Sequence, residues 1–198
     1  MNTKPTITIM LLMLLASVTC HAANRNGIAA KAKTLEVTFN YNRQDGPGSN
    51  QYAVWIEDEQ GRVVKTLFVT AFTTKGRPRP GEAIRRGYTF RPTCVPSWVK
   101  AVKAEERTDE ELDAYTGATP QSGLQTFTWD FTDQTGKSVK KGTYKLRIEA
   151  TLINDRIVNY TGSFSVGDKS SEVPLTQSLS GSDTGHDTMI ADIKAALK

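Results

Sequence analysis

Residues 144–152 alternate without a break. Tyr144, Leu146, Ile148, Ala150 and Leu152 are apolar, and Lys145, Arg147, Glu149 and Thr151 stand between them. A period of two is the side-chain repeat of a strand with one face in a core and the other turned away. Few other folds suit such a stretch, so the rest of the chain must supply partner strands. Leu35, Val37, Phe39 and Tyr41 repeat the pattern. Gln51–Glu57, Arg62–Phe72, the run around Phe127 and Trp129, and Ile157–Val166 read as further strands. Asp58-Glu59-Gln60-Gly61 and Asp133-Gln134-Thr135-Gly136 are hairpin turns, and Asn154-Asp155 turns the chain again. Six short strands with tight turns predict an all-β fold, an antiparallel β-sandwich.

One interruption divides the strands into two groups. Residues 73–122 hold Gly76, Pro78, Pro80, Gly81 and Gly87, too many breakers for a regular strand. Trp98–Glu106 reads as a short helix with Ser97 as its cap. Thr108 and Glu111 form a capping box opening a second helix over Asp109–Tyr115, with Gly117 as its stop. The sandwich domain thus spans 34–168, with a loop and short-helix insert at 73–122. Most connections between elements run about 4–6 residues, so one of some fifty residues argues for a function in the insert.

The ends read differently. Lys4 and the apolar run Ile7–Ala16, followed by Cys20-His21-Ala22, form a secretory signal peptide over 1–22 that is cut after Ala22. Acylation of Cys20 is the alternative, though Thr19 is a poor residue before a lipidated cysteine. Cleavage removes Lys4 and no acid, so 25 basic and 21 acidic residues become 24 and 21, a net charge of +3. Residues 23–33 are a polar leader. Residues 169–198 are a polar tail in which Met189, Ile190, Ile193, Ala196 and Leu197 have the spacing of a short C-terminal helix.

Residue types give several chemistries little support. Cys94 is left as the one cysteine after cleavage, so there is no internal disulfide. His186 is the remaining histidine, and in a polar tail it reads as solvated. One Cys and one tail His make a poor start on a zinc site. Glu105, Glu106, Asp109, Glu110 and Glu111 read as a solvated helix face, and no phosphate-cradling glycine loop occurs. Lys75 and Arg77, Arg79, Arg85, Arg86 and Arg91 form a basic run, either a solvated loop or a docking surface for an anion. Export makes nucleic acid an unsuitable partner.

That leaves Asp113-Ala114-Tyr115-Thr116-Gly117-Ala118-Thr119-Pro120. As plain structure it is a helix end and a turn into the next strand. It also resembles the Asp-x-x-(Ser/Thr)-Gly-Ala-(Ser/Thr) motif of bacterial flavin-carrier proteins, matching at Asp113, Thr116, Gly117, Ala118 and Thr119. In those proteins a periplasmic FMN transferase, using FAD, links FMN to the last hydroxyl residue by a phosphoester. The resemblance implies Thr119 as the acceptor, Gly117 and Ala118 as room for the transferase, and Asp113 and Thr116 as recognition residues. Pro120 stiffens the exit, and the small FMN-binding domain that usually carries the motif is not recognisable. A flavin here needs another pocket, near Tyr115, Trp98 and the basic run.

Two wider resemblances bear on fold and role. Thr128-Trp129-Asp130, Asp133, Gly136, Val139 and Gly142–Leu146 resemble the immunoglobulin-like segment of flagellar hook-capping proteins. This implies an immunoglobulin-like sandwich and no flagellar role. Val37–Arg43, Gln51–Asp58, Pro96–Val99 and Asp113–Pro120 together resemble the predicted periplasmic domain-of-unknown-function family 2271, over about 34–168. Its members look like companions of FMN transferases and PepSY-type membrane reductases. The implied role is a periplasmic electron-transfer or accessory protein with FMN on Thr119. The other reading is a cofactor-free periplasmic binding module of immunoglobulin type. A third reading, a secreted hydrolase, lacks supporting residues, and a redox carrier or accessory protein is favoured over a stand-alone enzyme.

Overall fold

A computed structural model describes residues 32–76, 91–153, 155–181 and 186–198. The signal peptide, nearly all of the leader, Asn154 and residues 77–90 of the basic run lie outside the described residues. Two β-sheets face each other. Strands β1 (Leu35–Tyr41), β2 (Gln51–Asp58) and β3 (Val63–Thr70) precede the insert. The insert holds helices α1 (Ala71–Lys75), α2 (Pro96–Val102) and α3 (Asp109–Asp113), and the short strand β4 (Thr116–Gly117). Then come β5 (Gly123–Trp129), β6 (Gly142–Ile153), β7 (Arg156–Val166), β8 (Ser171–Glu172), β9 (Thr176–Ser180) and β10 (Ile190–Leu197). One sheet has the order β5-β1-β10-β8, the other β4-β3-β2-β6-β7-β9. The pairings are antiparallel except β3 with β4, which is parallel. The all-β sandwich expected from the alternation is present.

The core follows from the two-residue repeat. Leu35, Val37, Phe39 and Tyr41 from β1 meet Tyr52, Val54 and Ile56 from β2 and Leu146, Ile148 and Ala150 from β6 between the sheets. Tyr52 sits in an aromatic group with Phe39, Tyr41, Phe68 and Phe127, at centroid distances of 4.9–6.4 Å. β2 is buried along both faces. Its opposite face carries Ala53 and Trp55, and the insert covers them with Val95, Trp98, Val99, Val102 and Leu112. The insert is therefore a third layer on the six-stranded sheet, with its own apolar cluster.

The insert's helices differ in detail from the sequence reading. Ser97 is not the cap of α2: the helix starts at Pro96, whose missing N–H costs nothing at a first turn, and Val95 is the cap residue at φ 58°. Lys103, at φ 50°, ends α2, and a separate 3₁₀ turn covers Ala104–Glu106. The capping box of α3 is formed: Glu111 N–H donates to Thr108 Oγ1 and Thr108 N–H to Glu111 Oε2. Arg62–Phe72 is shorter as a strand than expected, because β3 ends at Thr70 and the chain turns into α1.

The largest correction concerns the tail. Residues 189–197 form no helix. Ile190–Leu197 form β10, which lies between β1 and β8. The helical spacing comes from a β-bulge. Thr38 pairs with Lys194 and Asn40 with Ala191, so three steps of β10 face two of β1. Asp192 takes φ 52° there. The extra residue moves the inward face from Ile190 to Ala195 and Leu197, which breaks the period of two. His186 is likewise not solvated: it is 3% exposed, and neither ring nitrogen has a hydrogen-bond partner among the described residues.

Glu149, on the β6 face under the insert, is wholly buried. Its two oxygens share the Ser97 N–H at 3.3 and 3.1 Å. Burial pushes its carboxyl above the ordinary range, only partly offset by Ser97 and Arg147. An acid with a raised folded pKa favours folding when protonated. Its penalty is full above the folded pKa and gone below the unfolded value of about 4.3. Glu149→Gln is therefore expected to raise the thermal midpoint at pH 7, with the gain vanishing as pH falls below about 4. Melting curves across that range check it.

Candidate functional site

The Asp113–Thr119 run leaves α3 and passes the open edge of the six-stranded sheet. The helix stops at Asp113, with Ala114 as its cap. Thr116 Oγ1 donates to the Leu112 carbonyl at 2.6 Å, satisfying one of the orphan oxygens at a helix end. Thr116 Oγ1 also lies 3.2 Å from Thr74 Oγ1. Lys75 Nζ reaches Asp113 Oδ1 at 2.7 Å, a half-exposed ion pair that ties α1 to α3. Thr116 and Gly117 then pair with Val69 and Thr70 as β4.

Gly117 is not the stop of the helix. It sits in β4, and its reason for being glycine is Phe68: a Cβ there would lie 2.4 Å from the Phe68 ring. Gly117→Ala must push that ring out of the aromatic group around Tyr52. The expected loss is about 1–3 kcal/mol of unfolding free energy, and Phe68→Leu should recover much of it in the double variant. Denaturant unfolding of the two single variants and the pair checks this.

Ala118 is exposed and Thr119 half-buried. Thr119 Oγ1 donates to Gln51 Oε1 at 3.3 Å, a long and weak bond. Gln51 is itself buried, and its amide nitrogen donates to the Ser49 carbonyl. Beyond Pro120, the Arg43 N–H donates to Ser122 Oγ at 2.9 Å, fixing the entry to β5. The structure thus gathers all five matched residues on one edge, in two groups. Asp113, Thr116 and Gly117 are held by contacts that build the fold, and Ala118 and Thr119 lie on the turn after them.

A phosphate-linked group needs a cation, and the insert holds one against α1. Arg91 stacks on Phe72 at 5.7 Å, and its Nε is buried without a hydrogen-bond partner among the described residues. A guanidinium with an unmade bond suits an anion. Trp98, by contrast, is wholly buried and donates from Nε1 to Thr66 Oγ1 at 3.1 Å, so it is a core residue and not an open wall. Tyr115 packs edge-on against it at 6.0 Å and 75°. Burial pushes the Tyr115 hydroxyl above its ordinary range.

Cys94 is a free, buried thiol 3.8 Å from Ser49 Oγ. Burial raises its pKa, with Ser49 and Arg91 pulling the other way. A raised thiol pKa makes a poor nucleophile. No group of three or more His, Cys, Asp or Glu able to hold a metal occurs among the described residues. No helix among them is long and apolar enough to cross a membrane. Sequence reasoning missed Gln51 and Phe68, the partners of Thr119 and Gly117. Both are far away in the chain, and no local pattern marks them.

A family model described as "Predicted periplasmic protein (DUF2271)" matches residues 33–178. No curated protein and no solved structure matches the chain. The family description agrees with the export expected from residues 1–22.

Proposed function

The chain belongs to the predicted periplasmic protein family DUF2271, and from that premise we propose that it is a flavin carrier with FMN on Thr119. One observation carries the choice of residue. The run offers two threonine hydroxyls. That of Thr116 is committed to the end of α3 at 2.6 Å, whereas that of Thr119 makes one long side-chain bond beside exposed Ala118. Only the second can be given up without uncapping a helix.

Attachment balances with FAD as the donor. The Thr119 Oγ–phosphorus bond forms as the phosphoanhydride of FAD breaks, AMP leaves, and the hydroxyl proton passes to solvent. A periplasmic FMN transferase is the partner that this step requires. Bound FMN would supply reversible electron transfer, for which the protein's own side chains provide no centre. The chain's part is to hold and orient. The edge strand β4 fixes the turn, Arg91 offers a cation near α1, and Gln51 anchors the residue before modification. A PepSY-type membrane reductase is the proposed electron partner.

A second reading is favoured by a specific fact. Asp113, Thr116, Gly117 and Thr119 each have a structural neighbour, in Lys75, Leu112, Phe68 and Gln51. A cofactor-free binding module needs no more than that. Co-production with an FMN transferase separates the two. Flavin fluorescence should stay with the denatured protein band in the wild type and in Thr119→Ser, and disappear in Thr119→Ala. Fluorescence persisting in Thr119→Ala would move the attachment elsewhere. None in the wild type, with a known carrier labelled in parallel, would leave the binding module.

A further inference from the structure

A pocket of about 320 Å³ opens at the edge of β3, between that strand and the insert. Val63, Val102 and Ala114 give it apolar walls, Tyr115 lines it beside Trp98, and Arg107, Glu111 and Gln134 are among its polar lining. Its size is at the lower end for small-molecule sites, which run from about 300 Å³. We infer that this pocket receives the isoalloxazine ring of a flavin, a proposal that rests on the reading of Thr119 as the attachment residue.

Three features point to a flat, acceptor-rich, uncharged ring. The first is the wall. Apolar side chains with the ring of Tyr115 suit a planar aromatic body.

The second is the polar lining. Gln134 Oε1 is taken by the Thr66 N–H at 2.9 Å. Its amide N–H groups make no hydrogen bond to a described residue. Arg107 spends Nε on the Val102 carbonyl at 3.0 Å and one terminal nitrogen on Glu111 at 3.4 Å, and its other terminal nitrogen makes no hydrogen bond to a described residue; Arg107 and Gln134 are both exposed. These donors match the carbonyl and ring-nitrogen acceptors at one end of a flavin. Glu111 beside Arg107 offsets its charge, so a free phosphate gains little here.

The third is reach. Tyr115 lines the pocket, and Thr119 is four residues further on, at most about 14 Å of extended chain. Gln51, which holds the Thr119 hydroxyl, shares a face of β2 with Ala53 and Trp55, by the alternation of a strand. That is the face covered by Val102 and Tyr115. A group tethered at Thr119 therefore starts on the pocket's side of the sheet but at the Gln51 end of β2, whereas Thr66 and Val63 pair with Trp55 and Glu57, about 13–20 Å along the strand, so the ribityl phosphate and the ring together must span the gap.

The test uses the FMN-loaded protein, with load measured by intact mass and folding by circular dichroism. Flavin emission is compared before and after denaturation, together with quenching by iodide. In the folded wild type, Tyr115 should hold emission severalfold below the denatured value, and the pocket walls should shield the ring from iodide. Ala114→Phe, which fills the pocket from its exposed rim, and Tyr115→Leu should each restore emission and iodide access at unchanged load. A loaded wild type with equal emission folded and denatured would overturn the pocket assignment alone. So would a quenched state that Ala114→Phe leaves unaltered. Absence of FMN from the wild type would instead overturn the attachment on which the inference rests.

Discussion

Deletion of residues 186–198 is expected to leave a chain with no cooperative unfolding transition. β10 lies inside its sheet, hydrogen-bonded to β1 along Leu35–Tyr41 and to β8 at its other edge. Lys33 and Thr34 also donate to the Lys198 carbonyl, and Lys198 returns a bond to Thr34. Removing the strand strips a row of hydrogen bonds from β1 and opens the core over Val37 and Phe39. It also discards Met189, Ile190, Ala195 and Leu197, all buried. Each large apolar side chain fully buried contributes about 1.5–3 kcal/mol, and a domain's net stability is only about 5–15 kcal/mol. Urea titration followed by tryptophan fluorescence should therefore show a sigmoid for the full chain and none for the deletion. A loosely docked tail would leave the midpoint unmoved.

Trp98→Ala is expected to cost about 3–5 kcal/mol, the usual range for removing a buried aromatic. Trp98 is wholly buried in the cluster that fixes the insert to the outer face of β2 and β3. Its Nε1–H bond to Thr66 is lost, and Thr66 is itself buried. Trp98→Phe keeps most of the volume and loses the bond, so a smaller loss of about 1–3 kcal/mol follows. The effect should reach the Asp113–Thr119 run, because Tyr115 packs on Trp98 and its carbonyl accepts from Val69 N–H at 3.0 Å. Limited proteolysis should cut the insert of Trp98→Ala faster than that of the wild type. Equal stability would mean that the third layer is not held by this side chain.

Much of the sandwich was legible because one-sided burial imposes a two-residue repeat on β1 and β7, and β6 keeps that repeat because the residues it buries on its second face, Glu149 and Thr151, are polar. β2 was legible for another reason: turn residues bracket an apolar run that is buried on both faces. β10 was not legible. Its bulge at Asp192 shifts the inward face by one residue, so the apolar positions mimic a helix. β8 and β9 are short and exposed, with little apolar signal to read. At the candidate site, the capping box over Thr108–Glu111 was readable because capping is local. The role of Gly117 was not, since it depends on Phe68 nearly fifty residues earlier in the chain. The hydroxyl assignment likewise needed the structure. Only geometry separates Thr116, bonded to Leu112, from Thr119, bonded to Gln51.

The most direct test is an intact mass of the exported protein made together with an FMN transferase and FAD. A carrier with FMN on Thr119 should gain the mass of one FMN less one water, and peptide mapping should place it on the segment holding Thr119. Thr119→Ala should keep the unmodified mass. An unmodified wild-type chain, beside a reference carrier that is modified under the same conditions, would contradict the account.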